Sequence, residues 1–426
     1  MSKVKRIVSN VYVFSVISKI IVVIVGFVYA FLLARYLGAE LKGQLTYINT
    51  ITSISVIVLS LGVHQAYPYY KKQKTPNIKN IYVHSTLLLC IFYALISLGL
   101  FFIFKDYEKI SIAILLSPLL TYTKLITYLV MVENPNKKNR WEIIVEVFEV
   151  CFLIVLYIFA PRHLVFCILM IIIKNIIAIV YYFYNAHEDL KVNKTDFRML
   201  KSFIGFGILP MFSLLMNSLN YRIDVLMLNA KVSDAQIGIY SVGISLAEKI
   251  WLLSDALRDV LYSKLTTGKD AEEVNKVVRI SLTICAILSI GLVLLGKPFI
   301  FLCYGEEYID AYYPLIIVLF GTMVMVYYKV IQTYNIVHHK QKTNFTILLI
   351  SVILNVILNY FFIDKWGING AAGASLISYT VCALLFVIDY VKTTHSKIRD
   401  LLIIKKSDLK FLRSRVSDKA KKEEKK

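Results

Sequence analysis

"NYRIDVLML", residues 220–228, places Arg222 and Asp224 two positions apart inside an otherwise apolar run. The run extends from about Ser202 to Leu228, longer than the roughly 20 residues an α-helix needs to cross a bilayer. A charge at the centre of such a helix costs about 3 kcal/mol or more, so both residues demand partners or water. At i,i+2 they point about 200° apart and do not pair with each other. Near the outer end of this helix they suit an outer gate or interlobe clamp, or equally a shallow interfacial position. Gly205, Gly207 and Pro210 in the same segment predict a bend, because they loosen the backbone and remove a hydrogen bond.

The rest of the chain repeats this theme. Its 426 residues are 58% hydrophobic and only 18% charged, with a mean hydropathy of +0.66, which excludes an ordinary soluble domain. Apolar runs long enough to span occur at about 11–34, 44–69, 79–104, 110–132, 142–160 and 163–185, then at 202–229, 236–263, 277–295, 309–337, 345–363 and 370–391. The expected fold is therefore an all-α polytopic membrane protein of about twelve helices. The first run follows Lys3, Lys5 and Arg6 and lacks a small-residue cleavage site, so it reads as a retained helix, not a signal peptide. With the N-terminus inside, about twenty loop cations fall on the cytoplasmic side against eight outside. That bias places both termini in the cytoplasm.

The two halves resemble each other. "ARYLGAELKGQL" (34–45) and "NAKVSDAQIGIY" (229–240) align at an offset of 195, which puts Gly43 on Gly238. "TKLITY" (123–128) and "YKVIQT" (328–333) align at an offset of 205, which puts Lys124 on Lys329. An even number of helices per half gives parallel repeats about an axis along the membrane normal. The expected organisation is an N-terminal lobe, 1–189, an interlobe linker, 190–201, a C-terminal lobe, 202–391, and a basic tail, 392–426.

Several charges lie deep in these runs. Lys19, Lys124 and Lys329 each sit about eight residues from the cytoplasmic end of their helix, on stripes with Ser15, Tyr12, Ser117, Thr121, Thr322 or Gln332. Lys174 adds a fourth cation. Snorkelling accounts for any one lysine; three at one depth point to a cationic cavity open to the cytoplasm, with Arg258 contributing. Glu248, Asp255 and Asp259 fall within about 40° on one helix face, with Arg258 in pairing reach of Asp255. They are candidates for ion coupling or gating, along with Arg222 and Asp224, and structural ion pairing is the alternative.

Enzyme signatures are missing. "GLVLLGKP" (291–298) offers Pro298 where a phosphate-binding loop needs Ser or Thr, and it ends a membrane helix with no strand before it. The six cysteines (Cys90, Cys151, Cys167, Cys285, Cys303, Cys382) have no metal or disulfide spacing. No metal, cofactor, catalytic residue or nucleic-acid partner is expected. An H+ or Na+ gradient, or the substrate's own gradient, is left as the energy source of a secondary transporter.

Three stretches carry a family resemblance: "YAFLLARYLGAELKGQLTY" (29–47), "NSLNYRIDVLMLNAKVSDAQIGIYSVGISLAE" (217–248) and "NVILNYFFIDKWGINGAAGASLISY" (355–379), with "YGEEYIDAYYPL" (304–315) weaker. They resemble the polysaccharide and oligosaccharide flippases (Wzx-like translocases of O-antigen or capsule repeat units) of the multidrug/oligosaccharidyl-lipid/polysaccharide exporter superfamily. The resemblance implies a MATE-like arrangement of two six-helix lobes around a central cavity in a bacterial inner or plasma membrane. It further implies alternating access and a polyprenyl-diphosphate-linked oligosaccharide carried from the inner to the outer leaflet. Other polysaccharide-assembly membrane proteins are the partners it implies. The rivals are an ion-coupled multidrug exporter of the same fold and a peptidoglycan lipid-precursor flippase, which usually carries extra C-terminal helices. A membrane-embedded glycosyltransferase would need a larger outer loop. The tail, "IRDLLIIKKSDLKFLRSRV" (398–416), mixes apolar and basic residues suited to anionic inner-leaflet lipids.

Overall fold

The computed structural model describes residues 11–186, 197–265 and 270–402, together with Lys405 and Asp408. Most of the expected interlobe linker, and the tail beyond Asp408, lie outside them. Among the described residues the chain is helical with no strand. The helices are α1 (Val11–Leu59), α2 (Val63–Lys72), α3 (Ile78–Ile103), α4 (Glu108–Glu133), α5 (Pro135–Phe159), α6 (Leu164–Ala186) and α7 (Phe197–Leu228). They continue as α8 (Asp234–Glu248), α9 (Trp251–Lys264), α10 (Asp270–Tyr304), α11 (Tyr312–Val324), α12 (Val326–Val337), α13 (Gln341–Thr394) and α14 (Arg399–Leu402). Among the described residues, eight stretches are long and apolar enough to cross a membrane, or nine counting α8 and α9 as one span bent by 45°. Large exposed side chains such as Leu95, Phe102, Ile158, Leu294 and Phe361 suit a surface that meets hydrocarbon. This is a multi-pass membrane protein.

Two runs expected as helix pairs joined by connections are continuous helices broken at one residue. In α1 the break is Gly38 (φ 69, ψ 175), and in α13 it is Gly367 (φ 54, ψ −132). A straight 54-residue helix would reach about 80 Å, far beyond a hydrocarbon layer of about 30 Å. Glycine turns the chain back because it alone adopts these dihedrals without a Cβ clash. The expected helix 8, 236–263, is divided at Lys249–Ile250. There Lys249, Ile250 and Leu252 N–H groups bond three residues back, and the Ile250 carbonyl accepts the Cys285 thiol at 3.4 Å.

The chain forms two compact units, residues 1–239 with 302–308, and 240–301 with 309–426. In the first unit α1 packs on α4 and α5, and α7 packs on α1 and α2. One core joins Tyr67, Tyr82, Leu125, Trp141, Tyr182 and Phe203. Another joins Leu33, Tyr36, Leu45, Leu116, Leu153 and Met170. The α7 helix runs unbroken through Pro210. Gly207 instead serves close approach: a Cβ there would stand 2.4 Å from the carbonyl carbon of Gly62. The two glycines that aligned in sequence also meet. A Cβ on Gly43 would lie 1.8 Å from the Asp234 carbonyl oxygen, and one on Gly238 would lie 2.0 Å from that of Ala39.

The Gly38 break is capped from residues 302–308 of the same unit. Glu307 accepts from the Ala39 N–H at 2.7 Å, and Tyr308 donates to the Ala34 carbonyl at 3.0 Å. Arg35 donates to the end of α10, to Leu302 O at 2.5 Å and Cys303 O at 3.0 Å.

In the second unit α13 packs on α11 and α12, and α9 packs on α12. The C-terminal segment is anchored there. Arg279 holds Asp408 through Nε at 2.7 Å and Nη2 at 2.8 Å, both residues being buried, and donates to the Asp400 carbonyl at 2.6 Å. Burial opposes ionisation of Asp408. The Arg279 bonds, the Lys405 N–H and nearby cations outweigh it and hold the carboxyl below its ordinary range.

Replacing Gly43 with Ala is expected to force two backbones apart and cost about 1–3 kcal/mol, read as a lower melting temperature in detergent. A carboxyl with a depressed folded pKa stabilises docking above the unfolded pKa of about 3.9, and that stability is lost as pH falls through the folded value. Proteolysis of the C-terminal segment should therefore be constant from about pH 5 to 8 and accelerate only below about pH 4. Asp408→Asn should already be cleaved faster at neutral pH.

Candidate functional site

The densest cluster of intramembrane charge lies in the second unit, between α9 and α12. Lys329 Nζ stands 3.0 Å and 3.2 Å from the two carboxylate oxygens of Asp255. The same Asp255 accepts from Arg258 Nη1 at 2.9 Å, and Arg258 Nη2 reaches Asp259 at 3.1 Å. Trp251, one turn before Asp255, lies under the ammonium, with Lys329 Nζ 4.3 Å from its ring centroid. Its indole N–H donates to the Thr322 carbonyl at 2.6 Å. Glu248 acts on Lys329 electrostatically from the end of α8. The bend at Lys249–Ile250 leaves Glu248 on α8 and Asp255 and Asp259 on α9, yet Glu248 and Asp255 both act on Lys329. Lys329 is buried, whereas Asp259 is exposed, so the cluster grades from a dry end to an open one.

In the first unit the cations are placed differently. Lys174 on α6 is bonded to Glu149 on α5 at 2.5 Å, and Glu149 is buried. Lys124 is half-buried on α4 and acts electrostatically on His64, whose ring meets Tyr128 edge-on at 4.9 Å. Lys19 is exposed on α1. Asp224 is buried and accepts the N–H of Val225 at 2.7 Å. Arg222 is half-buried and interacts electrostatically with Lys42 of α1.

Charged residues the sequence reading passed over matter as much. Glu142, Glu146 and Glu149 recur at helical spacing along α5, a carboxylate row comparable to the one on α9. Glu142 pairs with Lys138 at 2.5 Å, and Glu146 faces Gly26, where a Cβ would lie 3.5 Å from its oxygen. Lys109 bridges Asp234 at 2.6 Å and Asn229 at 3.0 Å, fixing the turn between α7 and α8. The spacing of the glutamates was a readable signal. Lys109 and Asp234 are 125 residues apart and gave none.

Each unit therefore places acids and bases in direct contact within apolar surroundings. Lys174, Lys329 and Arg258 are bonded to carboxylates, so in this conformation their charge is compensated locally.

Comparison with known proteins agrees with this architecture. Residues 7–251 match the polysaccharide biosynthesis protein family. A probable flippase AglR of Haloferax volcanii is 29% identical over 176 residues. That match covers 39% of this chain and 37% of the relative, so the two align over little more than a third of either length. An inward-facing multidrug resistance MATE family transporter of the MOP superfamily superposes with a TM-score of 0.67 at 10% identity, covering 87% of this chain and 96% of that one. The lipid II flippase MurJ in an inward closed conformation gives 0.66 at 16% identity, over 91% and 88%. The chain has the fold of MOP-superfamily transporters and belongs to the polysaccharide biosynthesis protein family.

Proposed function

We propose that the protein is a secondary transporter that flips a polyprenyl-diphosphate-linked oligosaccharide from the inner to the outer leaflet by alternating access. The family match over residues 7–251 carries this reading, and the resemblance to a flippase and to transporter folds supports it. No covalent step is required. In this reading the chain crosses a bacterial plasma membrane twelve times, with both termini cytoplasmic. Residues 1–189 and 202–391 form the two lobes of a central cavity.

The diphosphate would be drawn by Lys19 and Lys124, and would compete with Asp255 for Lys329 and Arg258. A phosphate accepts charge-assisted bonds as a carboxylate does. Released carboxylates are then free to take up H+ or Na+, which couples the exchange to an ion gradient. A ligand shifts a conformational equilibrium only by its differential affinity for the two states. Pair exchange supplies that difference, because the cations are compensated in one state by protein and in the other by cargo. Arg222 and Asp224 would gate the outer end. The second reading, a multidrug exporter, draws on the MATE likeness and on the carboxylate rows of α5 and α9, which suit cationic drugs.

Proteoliposomes holding a fluorescent polyprenyl-diphosphate oligosaccharide, with a cationic dye in parallel, decide between them. Movement of the lipid-linked sugar alone is expected; movement of the dye alone would make this a drug exporter. Lys124→Gln combined with Lys329→Gln should slow sugar-lipid movement at least about tenfold, equivalent to one lost charge-assisted bond, while membrane insertion persists. Asp255→Asn alone leaves Lys329 buried without its carboxylate and should cost about 1.5–3 kcal/mol of stability. Adding Lys329→Gln should restore part of it, the non-additivity that marks a direct pair.

A further inference from the structure

An apolar chamber lies within the second unit, and neither Lys329 nor Asp255 is among the residues that line it. Its volume is about 680 Å³. Leu282 and Ala286 of α10, Phe320 and Met323 of α11, and Ala383 and Leu384 of α13 form its walls, and Ile398 and Leu402 of the C-terminal segment close one end. Apart from Thr283, Thr380 and the Tyr327 hydroxyl, the lining is hydrocarbon. Phe320, Leu384 and Ile388 are also about half exposed on the outer surface of the unit (55%, 55% and 48%). The chamber therefore opens sideways, where a membrane-spanning bundle meets lipid.

Its polar end is cationic. Lys397 and Arg399 flank Ile398, and Lys392 sits one helical turn beyond Ile388; all three are exposed. The nearby acids have cation partners of their own: Asp400 with Lys405 at 2.7 Å, Asp408 with Arg279, and Asp389, next to Ile388, with Lys340 at 3.8 Å. Net positive charge is thus left at the rim of a dry, apolar pocket. At roughly 30 Å³ per water-sized group, the space holds on the order of 20 carbon atoms, the length of one lipid chain.

We propose that this chamber binds one hydrocarbon chain of a membrane lipid whose phosphate head rests on Lys392, Lys397 and Arg399. The C-terminal segment is a wall of the site, and the buried Arg279–Asp408 pair holds that wall in place. Apolar burial supplies the affinity, and the rim cations select an anionic head over a zwitterionic one. The site does not depend on the cargo proposed above: the chain could belong to a bulk phospholipid or to a polyprenyl phosphate, and the two are separable by measurement.

The test is native mass spectrometry of the delipidated full-length protein titrated with phosphatidylglycerol, phosphatidylcholine of the same chains, and a long-chain polyprenyl phosphate. The wild type is expected to retain at least one of the two anionic lipids more tightly than phosphatidylcholine. Ala286→Phe fills the chamber, and Leu384→Trp obstructs its half-exposed mouth without touching a fully buried position. Each should weaken retention at least about tenfold, with melting temperature and gel-filtration profile unchanged in at least one of them. Lys397→Gln and Arg399→Gln should each weaken phosphate-lipid binding about fivefold. Preference for phosphatidylglycerol marks a bulk lipid; preference for polyprenyl phosphate marks the carrier lipid. Equal retention of phosphatidylcholine, or undiminished retention in a folded chamber variant, overturns the proposal. Absent flipping with retention intact would overturn the transport reading and leave this site standing.

Discussion

A backbone N–H or C=O shielded from water has to be paired, so wherever a helix stops at a buried position, the protein itself must supply the missing partner. The break at Gly38 meets that demand most fully. Glu307 takes the Ala39 N–H, Tyr308 supplies the Ala34 carbonyl, and Arg35 in turn caps the end of α10. Each segment completes the other, and the chain reverses direction at one glycine without a loop. The same economy recurs at Gly367, and at Ile250, whose freed carbonyl takes a thiol. The two glycine breaks spare the bundle long connections, and in α13 the arms meet closely: a Cβ on Gly370 would stand 2.1 Å from the Phe362 carbonyl oxygen.

Charge obeys the same rule. A buried lysine in apolar surroundings persists only with a carboxylate or a cavity beside it. The structure provides carboxylates: Asp255 for the buried Lys329, and the buried Glu149 for a partly exposed Lys174. Such pairs contribute little net stability, because desolvation offsets most of the Coulomb attraction. Their value is that either member can be given a new partner at small cost. A rigid apolar core could not offer that, and the ion pairs occupy the positions where exchange matters to the proposed transport.

The apolar runs were legible in the sequence because span length is set by bilayer thickness, a constraint every helix meets by itself. Gly43 and Gly238 aligned in sequence as equivalent positions of two halves; that they also touch is known only from the structure. Three further things were not legible. A hairpin made by one glycine looks like a short connection in sequence, since helix propensity continues on both sides of Gly38. The bend between α8 and α9 follows from a local tightening of hydrogen bonds that no residue type announces. The bonds of Arg35 and Glu307 gave no signal, because their partners lie 268 positions away. Lys174 and Lys329 were legible as charges within apolar runs, but their bonds to Glu149 and Asp255 join separate helices, and pairing between helices is the part of electrostatics that periodicity does not encode.

The anchored C-terminal segment has a consequence in time. Arg279 is made 129 residues before the aspartate that neutralises it. At about 5–20 residues per second of synthesis, the arginine waits roughly 6 to 26 s for its partner. The second unit thus finishes folding only as its last residues emerge, and any protection Arg279 needs in that interval has to come from outside the finished fold, from water at the membrane surface or from the insertion machinery.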